Sequence, residues 1–302
     1  LIEVACMSSR WHGVVWIALS AVGFGAMAIF AKLAYRDGVS LSTMLFLRFA
    51  IAGVLLAAWG VLRDMRWPRG RNLWWLVGMG GIGYVGQSFS YFAALQYASA
   101  GLVALLLYLY PAIVVVLSAL LFRRPIGAGR GWAVAIALAG TALTVGGDLH
   151  SEPAGIFLGI ACACIYSGYI LAGEGVMPRV GPLAAATVVM LAAAVVYGAA
   201  AWSAGPSWPV TFAGWAAVLA IAIFSTLLAI LGFFKGLAKL GAADASTLST
   251  LEPLVTLALA ALVLGESVTA MQMAGGALIL AAVIYLARVS SVARTASPDR
   301  PS

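Results

Sequence analysis

Apolar residues fill this chain in stretches of about twenty, separated by short polar gaps, with neither a single helical stripe nor strand-like alternation. An apolar helix needs about 20 residues to cross the hydrocarbon core of a bilayer. The pattern therefore predicts ten membrane spans, at roughly residues 12–33, 41–62, 73–95, 100–121, 128–146, 153–173, 181–201, 213–234, 245–264 and 269–288. The gap between the third and fourth, Tyr97 to Ala100, is barely polar.

That gap is resolved by a second property: the chain reads twice. Trp11 to Ala142 aligns without a gap onto Pro153 to Ile284 at one constant spacing. Gly13 falls on Gly155, Pro111 on Pro253, and Ala94–Gly101 on Gly236–Ala243. The gap matching Tyr97–Ala100 runs from Lys239 to Asp244, carries charge and must reach an interface. Five spans per copy, an odd number, force the second copy to enter the membrane in the opposite sense. The expected fold class is all-α: a polytopic membrane protein with ten transmembrane helices in two inverted five-helix repeats around a central cavity. The repeats are expected at 11–146 and 153–288, with 289–302 a cytoplasmic tail. Inverted repeats about a shared centre recur in secondary transporters.

Composition removes the soluble alternatives. Hydrophobic residues make up 64% and charged residues 9% of 302 positions, and mean hydropathy is +1.05. A soluble domain carries about a quarter charged residues. The net charge of +7 does not point to nucleic acid, because the basic residues sit between apolar segments and form no long stripe. Placed on the expected topology with a cytoplasmic N-terminus, fourteen Lys and Arg fall on the cytoplasmic side. Only Lys32 and Arg36 fall on the other, with Asp37, Asp148, Glu152 and Glu266. That positive-inside bias puts both termini in the cytoplasm. Arg123-Arg124 after the fourth span becomes Gly265-Glu266 after the ninth, as expected where a helix end changes sides. Trp11, Trp74 and Trp75 at one interface and Trp202, Trp208 and Trp215 at the other fit interfacial anchoring. Residues 1–10 are too short and polar for the apolar region of a signal peptide, and Met7 is a candidate start.

Polar groups inside the spans need partners or water, and so mark the interior of the bundle. Arg48 in the second span and Glu252 in the ninth are the ionisable ones. Arg48 has Met190 as its repeat mate and reads as snorkelling or bracing neighbouring helices. Glu252 precedes Pro253, whose missing N–H frees a carbonyl and opens a kink. It either binds a proton or cationic group, or caps the freed backbone or pairs within the bundle. Its mate Tyr110 precedes Pro111, a second expected kink. Tyr84, Gln87, Ser90 and Tyr91 form a polar ridge on the third span at spacings of three and four. Tyr108, Tyr166, Tyr169, Ser225 and Ser249 add to the candidate lining. Tyrosines, small hydroxyls and one glutamine suit a small amphipathic or aromatic solute. Phosphorylated sugars or polyanions would need a basic centre.

No HExxH, CxxC or P-loop sequence is present, and His12 and His150 fall at helix ends, so neither catalytic residues, metal ligands nor cofactors are expected. Cys162 and Cys164, two apart on one helix, point in different directions and read as filler. The glycine run Gly78–Gly83 and the small residues Ala274–Ala277 suit close helix contact, and the latter also read as a dimer face, the expected state being a monomer or weak homodimer.

The segments LSTMLFLRFAIAGVLL (41–56), AALQYASAGLVALLLYLYPAIVVVLSALLF (93–122) and GLAKLGAADASTLSTLEPLVTLALAALVLGESVT (236–269) resemble the drug/metabolite transporter superfamily in its EamA-type branch. The resemblance covers nearly the whole chain. It implies an exporter of small metabolites in the bacterial inner membrane, working by alternating access and not an enzyme. Amino acids are the leading cargo, with xenobiotics or metabolites such as nucleosides the alternative and channel-like conduction a distant third. The YddG-like aromatic amino acid exporters look nearest. Two departures bear on coupling: Arg123-Arg124 stands where a Gly-Glu pair is usual, and Tyr110 replaces an acid before Pro111.

Overall fold

The computed structural model describes residues 2–122, 127–148 and 151–295. Arg123, Arg124, His150 and Arg300, all used in the charge and motif reading, lie outside them. Among the described residues, nine helices are long and apolar enough to cross a membrane, from Trp11–Arg36 to Ala270–Arg288. The third expected span is the remaining one. It runs from Gly70–Gly78 through a π-helical turn, Met79–Tyr84, into Val85–Tyr97, and its polar ridge dilutes its hydropathy.

Local chemistry starts and stops these helices. Ser40, Ser99 and Thr211 cap the second, fourth and eighth spans, each side chain accepting an amide three residues on. Pro153 and Pro182 open the sixth and seventh at the first helical position, where a missing N–H costs nothing. Both expected kinks are breaks. The fourth span stops at Leu107 and restarts at Tyr110–Phe122, while Ser249 and Leu251 flank a break at Thr250. Tyr108 and Thr250 are repeat mates, so the two breaks are equivalent. Gly241 turns the chain between the eighth and ninth spans at φ 79, a left-handed conformation that glycine adopts without Cβ strain. The last helix continues to Thr295, into the expected tail.

The first span lies along the eighth and ninth, the sixth along the third and fourth, the second along the seventh, and the fifth along the tenth. Exchanging each span with its repeat mate returns the same set of neighbours, which is a pseudo-twofold. Two glycines show its direction. A Cβ on Gly13 would stand 2.7 Å from Leu240 of the eighth span, and one on Gly155 would stand 2.7 Å from Ala98 after the third. These are the same contact in the two copies. Yet Lys32, at the far end of the first span from Gly13, donates to the Ala98 carbonyl at 2.9 Å. Equivalent contacts therefore sit at opposite ends of the bundle, and the repeats run in opposed senses.

Loop positions agree. The Ser207 amide donates to Thr43 at the start of the second span, whereas Met65 folds back on Gly60 at its end. The small residues of the tenth span are used within the chain: Gly275 abuts Gly140 of the fifth span, and Gly276 faces Leu105 of the fourth.

Candidate functional site

The breaks at the two prolines build the centre of the bundle. Pro253 has no N–H, so the carbonyl of Ser249 four residues earlier loses its helical partner. Tyr108, itself at the equivalent break, donates its hydroxyl to that carbonyl at 2.6 Å and lies 3.1 Å from Glu252 Oε2. The freed carbonyl is thus satisfied by Tyr108 and not by Glu252. The carboxylate is left facing a cavity of about 350 Å³, within the size range of small-molecule sites.

Of the expected lining, Tyr84, Gln87, Tyr91, Tyr108, Tyr166, Tyr169, Ser249 and Glu252 all meet on this cavity. Ser90 and Ser225 do not. Ser90 is one residue, about 100° of helix, away from Tyr91, and its hydroxyl returns to the Gly86 carbonyl at 2.9 Å. Ser225 is fully buried in a π-helical stretch, Ala220–Leu228, with no partner for its hydroxyl. Pro111 and Pro253 shape the helix breaks without lining the space. Cys162 is buried and accepts an N–H from Gln87 at 3.4 Å, while Cys164 is exposed.

Arg48, expected to snorkel or brace neighbouring helices, lines the cavity as well. Its Nε donates to Thr226 Oγ1 at 3.0 Å, and its guanidinium lies 4.8 Å and 5.1 Å from the ring centroids of Phe49 and Phe92. Thr226 in turn donates to the Ile221 carbonyl five residues back, inside the π-helical stretch. The two π-helical segments, 79–84 and 220–228, overlap at repeat-equivalent positions. Such bulges interrupt regular helices most often at functional sites.

The residues missed at the sequence level are mostly apolar: Phe24, Met27, Phe92, Leu107, Pro182, Ala186, Val189, Met190, Ile230, Phe233 and Phe234, with Tyr110 beside them. The duplication contains the signal that finds many of them. Arg48 and Met190, Tyr91 and Phe233, Ser249 and Leu107, Glu252 and Tyr110, Tyr166 and Phe24, and Tyr169 and Met27 are repeat mates, and both members of every pair line the cavity. One member of nearly every pair is the more polar. The division also follows the packing. Spans three, four and six carry a row of rings, Tyr84–Tyr169–Tyr166–Tyr110–Tyr108, with successive centroids 4.9–6.2 Å apart. Spans one and eight contribute Phe24, Met27, Ile230, Phe233 and Phe234 to the same lining.

One end of the bundle is tied shut. Lys32 Nζ and Glu266 Oε1 are 3.0 Å apart, and Glu266 also accepts the Ala100 amide at the start of the fourth span. Asp148 accepts from Ser99 at 2.6 Å and from Gln272 at 3.0 Å. The cavity lining extends the other way, to Pro182 at the start of the seventh span and Tyr169 near the end of the sixth. At the closed end Asp37 accepts the Thr211 hydroxyl at 2.6 Å and the amides of Val210 and Thr211. The Thr211 hydroxyl first, and then these amides, hold the Asp37 carboxyl below the usual aspartate range.

An amphipathic cavity enclosed by oppositely directed repeats in an all-helical, predominantly apolar bundle defines a multi-pass membrane transporter of small molecules. The chain belongs to the EamA-like transporter family, which it matches over residues 11–146 and 153–288, and it is accordingly a transporter and not an enzyme. It is similar to the uncharacterized transporter YwfM of Bacillus subtilis (strain 168), at 28% identity over 182 residues. That match spans 59% of this chain and 60% of the length of YwfM. It is also similar to the uncharacterized transporter YcbK of the same organism, at 24% identity over 87% of this chain and 88% of YcbK. A protein of known crystal structure superposes with a TM-score of 0.65 at 25% identity, over 96% of this chain and 99% of its own.

Proposed function

We propose that the chain exports amino acids, aromatic ones among them, across the bacterial inner membrane by alternating access, as a monomer or weak homodimer with both termini in the cytoplasm. In that orientation the tied end faces outward and the cavity reaches toward the cytoplasm, the loading arrangement of an exporter. The observation that carries the reading is a cavity lined by a row of tyrosines, by a set of apolar side chains and by one positive and one negative side chain. An amino acid with a large side chain matches both surfaces. A YddG-like specificity for aromatic amino acids is the finer form of the same reading.

Counterflow of labelled amino acids in proteoliposomes tests it. Saturable uptake against a preloaded amino acid is expected, with Tyr84→Ala and Gln87→Ala each weakening apparent affinity by about tenfold. Unsaturable flux, or kinetics unchanged in both variants, refutes the carrier or the lining respectively. The apolar wall of Phe24, Met27, Ile230, Phe233 and Phe234 favours a second reading, export of lipophilic xenobiotics. Lipophilic cations that drive counterflow where amino acids do not would establish that instead.

A further inference from the structure

We infer that Arg48 and Glu252 are the two poles that make the cavity selective for solutes bearing one carboxylate and one ammonium group over singly charged analogues. Arg48 takes the carboxylate and Glu252 the ammonium, while the solute's side chain lies against the tyrosine row. The assignment rests on the amino-acid reading above and deepens it.

Both side chains line one cavity, and neither is in ion-pair contact with another side chain among the described residues. Arg48 is only 3% exposed; its Nε is taken by Thr226, and Tyr84 is the other polar side chain beside the guanidinium. The sole fully buried, partnerless side-chain polar atom among the described residues is Ser225 Oγ. The guanidinium of Arg48 therefore borders the cavity with Tyr84 beside it, and its planar fork can take a carboxylate with two parallel bonds. Glu252 Oε2 lies beside the Tyr108 hydroxyl, and Oε1 has no protein donor. Tyr91, on the third span, lines the same cavity as both charged side chains.

An unpaired charge in a low-dielectric site is costly, and a partner that supplies only one counter-charge leaves the other pole unanswered. A zwitterion answers both. A cationic amine would leave Arg48 unpaired, and a carboxylic acid would leave Glu252 unpaired.

The test is inhibition of labelled phenylalanine counterflow by phenylalanine, phenethylamine and 3-phenylpropionate, which differ only in the charged groups. In the wild type each truncated analogue is expected to be weaker than phenylalanine by about tenfold or more. In Arg48→Met the penalty for lacking the carboxylate should fall to about twofold or less while the amine penalty persists, and in Glu252→Gln the reverse. The wild-type series stands alone if a variant fails to fold: phenethylamine or 3-phenylpropionate inhibiting as well as phenylalanine overturns the assignment. Saturable phenylalanine counterflow with penalties unmoved by either substitution overturns the poles and leaves amino-acid export standing. Absence of saturable counterflow for every amino acid overturns both.

Discussion

Tyr108 carries one proton and faces two acceptors, the Ser249 carbonyl at 2.6 Å and Glu252 at 3.1 Å. The shorter contact goes to the group that has no alternative, since a backbone carbonyl freed by Pro253 inside the membrane has no water to turn to. Removing the hydroxyl in Tyr108→Phe leaves that carbonyl unpaired, so a loss of about 1–3 kcal/mol in stability is expected, read as a lower midpoint of thermal unfolding in detergent. With the hydroxyl in place, the carboxylate beside it is relieved of capping that carbonyl. Asp37 illustrates the opposite case, a surface carboxylate fully engaged by the loop before the eighth span. Its folded-state pKa is depressed, so its contribution to stability is complete above the unfolded value and is lost as pH falls through the folded one. Asp37→Asn should therefore lower the unfolding midpoint at neutral pH. The gap from wild type should close as the medium is acidified below the ordinary aspartate range. A gap that is constant with pH would assign the effect to something other than the charge.

Span limits were legible because twenty apolar residues bounded by Ser, Thr, Gly or Pro have few other fates in a bilayer. The helix breaks at Pro111 and Pro253 were legible as kinks, and their equivalence followed from the duplication. The π-helical turns were not, since no residue type specifies them and Met79–Tyr84 differs wholly in sequence from its mate Ile221–Thr226. Ser90 misses the cavity for a different reason: it stands in the regular helix one position off the face of Gln87 and Tyr91, whereas Ser225 lies inside the second π-helical stretch. The apolar half of the lining was hidden because Phe24, Met27 and Met190 look like any lipid- or core-facing residue until matched with Tyr166, Tyr169 and Arg48. Close approach of mated elements is the best test of the repeat itself. Adding a methyl group in Gly155→Ala forces the sixth span off Tyr97 and Ala98, with an expected cost of about 1–3 kcal/mol. Gly13→Ala should destabilise comparably from the other end of the bundle. Unaltered unfolding midpoints in both variants would contradict the packing.

At the scale of the molecule, the ties across Lys32, Glu266, Ser99, Asp148 and Gln272 join spans one, four, five, nine and ten at one end. Glu266 gains from both the Lys32 charge and the amide end of the fourth span. Replacing it by Gln should weaken this closure by about 1–2 kcal/mol, a shift of roughly tenfold between closed and open ends. Faster modification of a cysteine introduced at Phe24 by reagent added from that side would register the shift, and an unchanged rate would exclude Glu266 as a latch. Which side that is depends on charge. The second span sets Met65 and Ser207 at its two ends, about 30 Å apart for a helix of that length, so one must lie in each aqueous compartment. Arginines crowd beside the first, at Arg63, Arg66, Arg69 and Arg71, while the second neighbours Asp37. Retention of Lys and Arg in the cytoplasm then places residue 65 inside and residue 207 outside. In intact cells a membrane-impermeant maleimide should label Ser207→Cys and spare Met65→Cys until the cells are opened, in a background where Cys6, Cys162 and Cys164 are replaced. The reverse labelling would turn the open cavity outward and make this arrangement one of uptake or release instead of loading. Labelling of both sites from one side would contradict the opposed repeats on which the cavity depends.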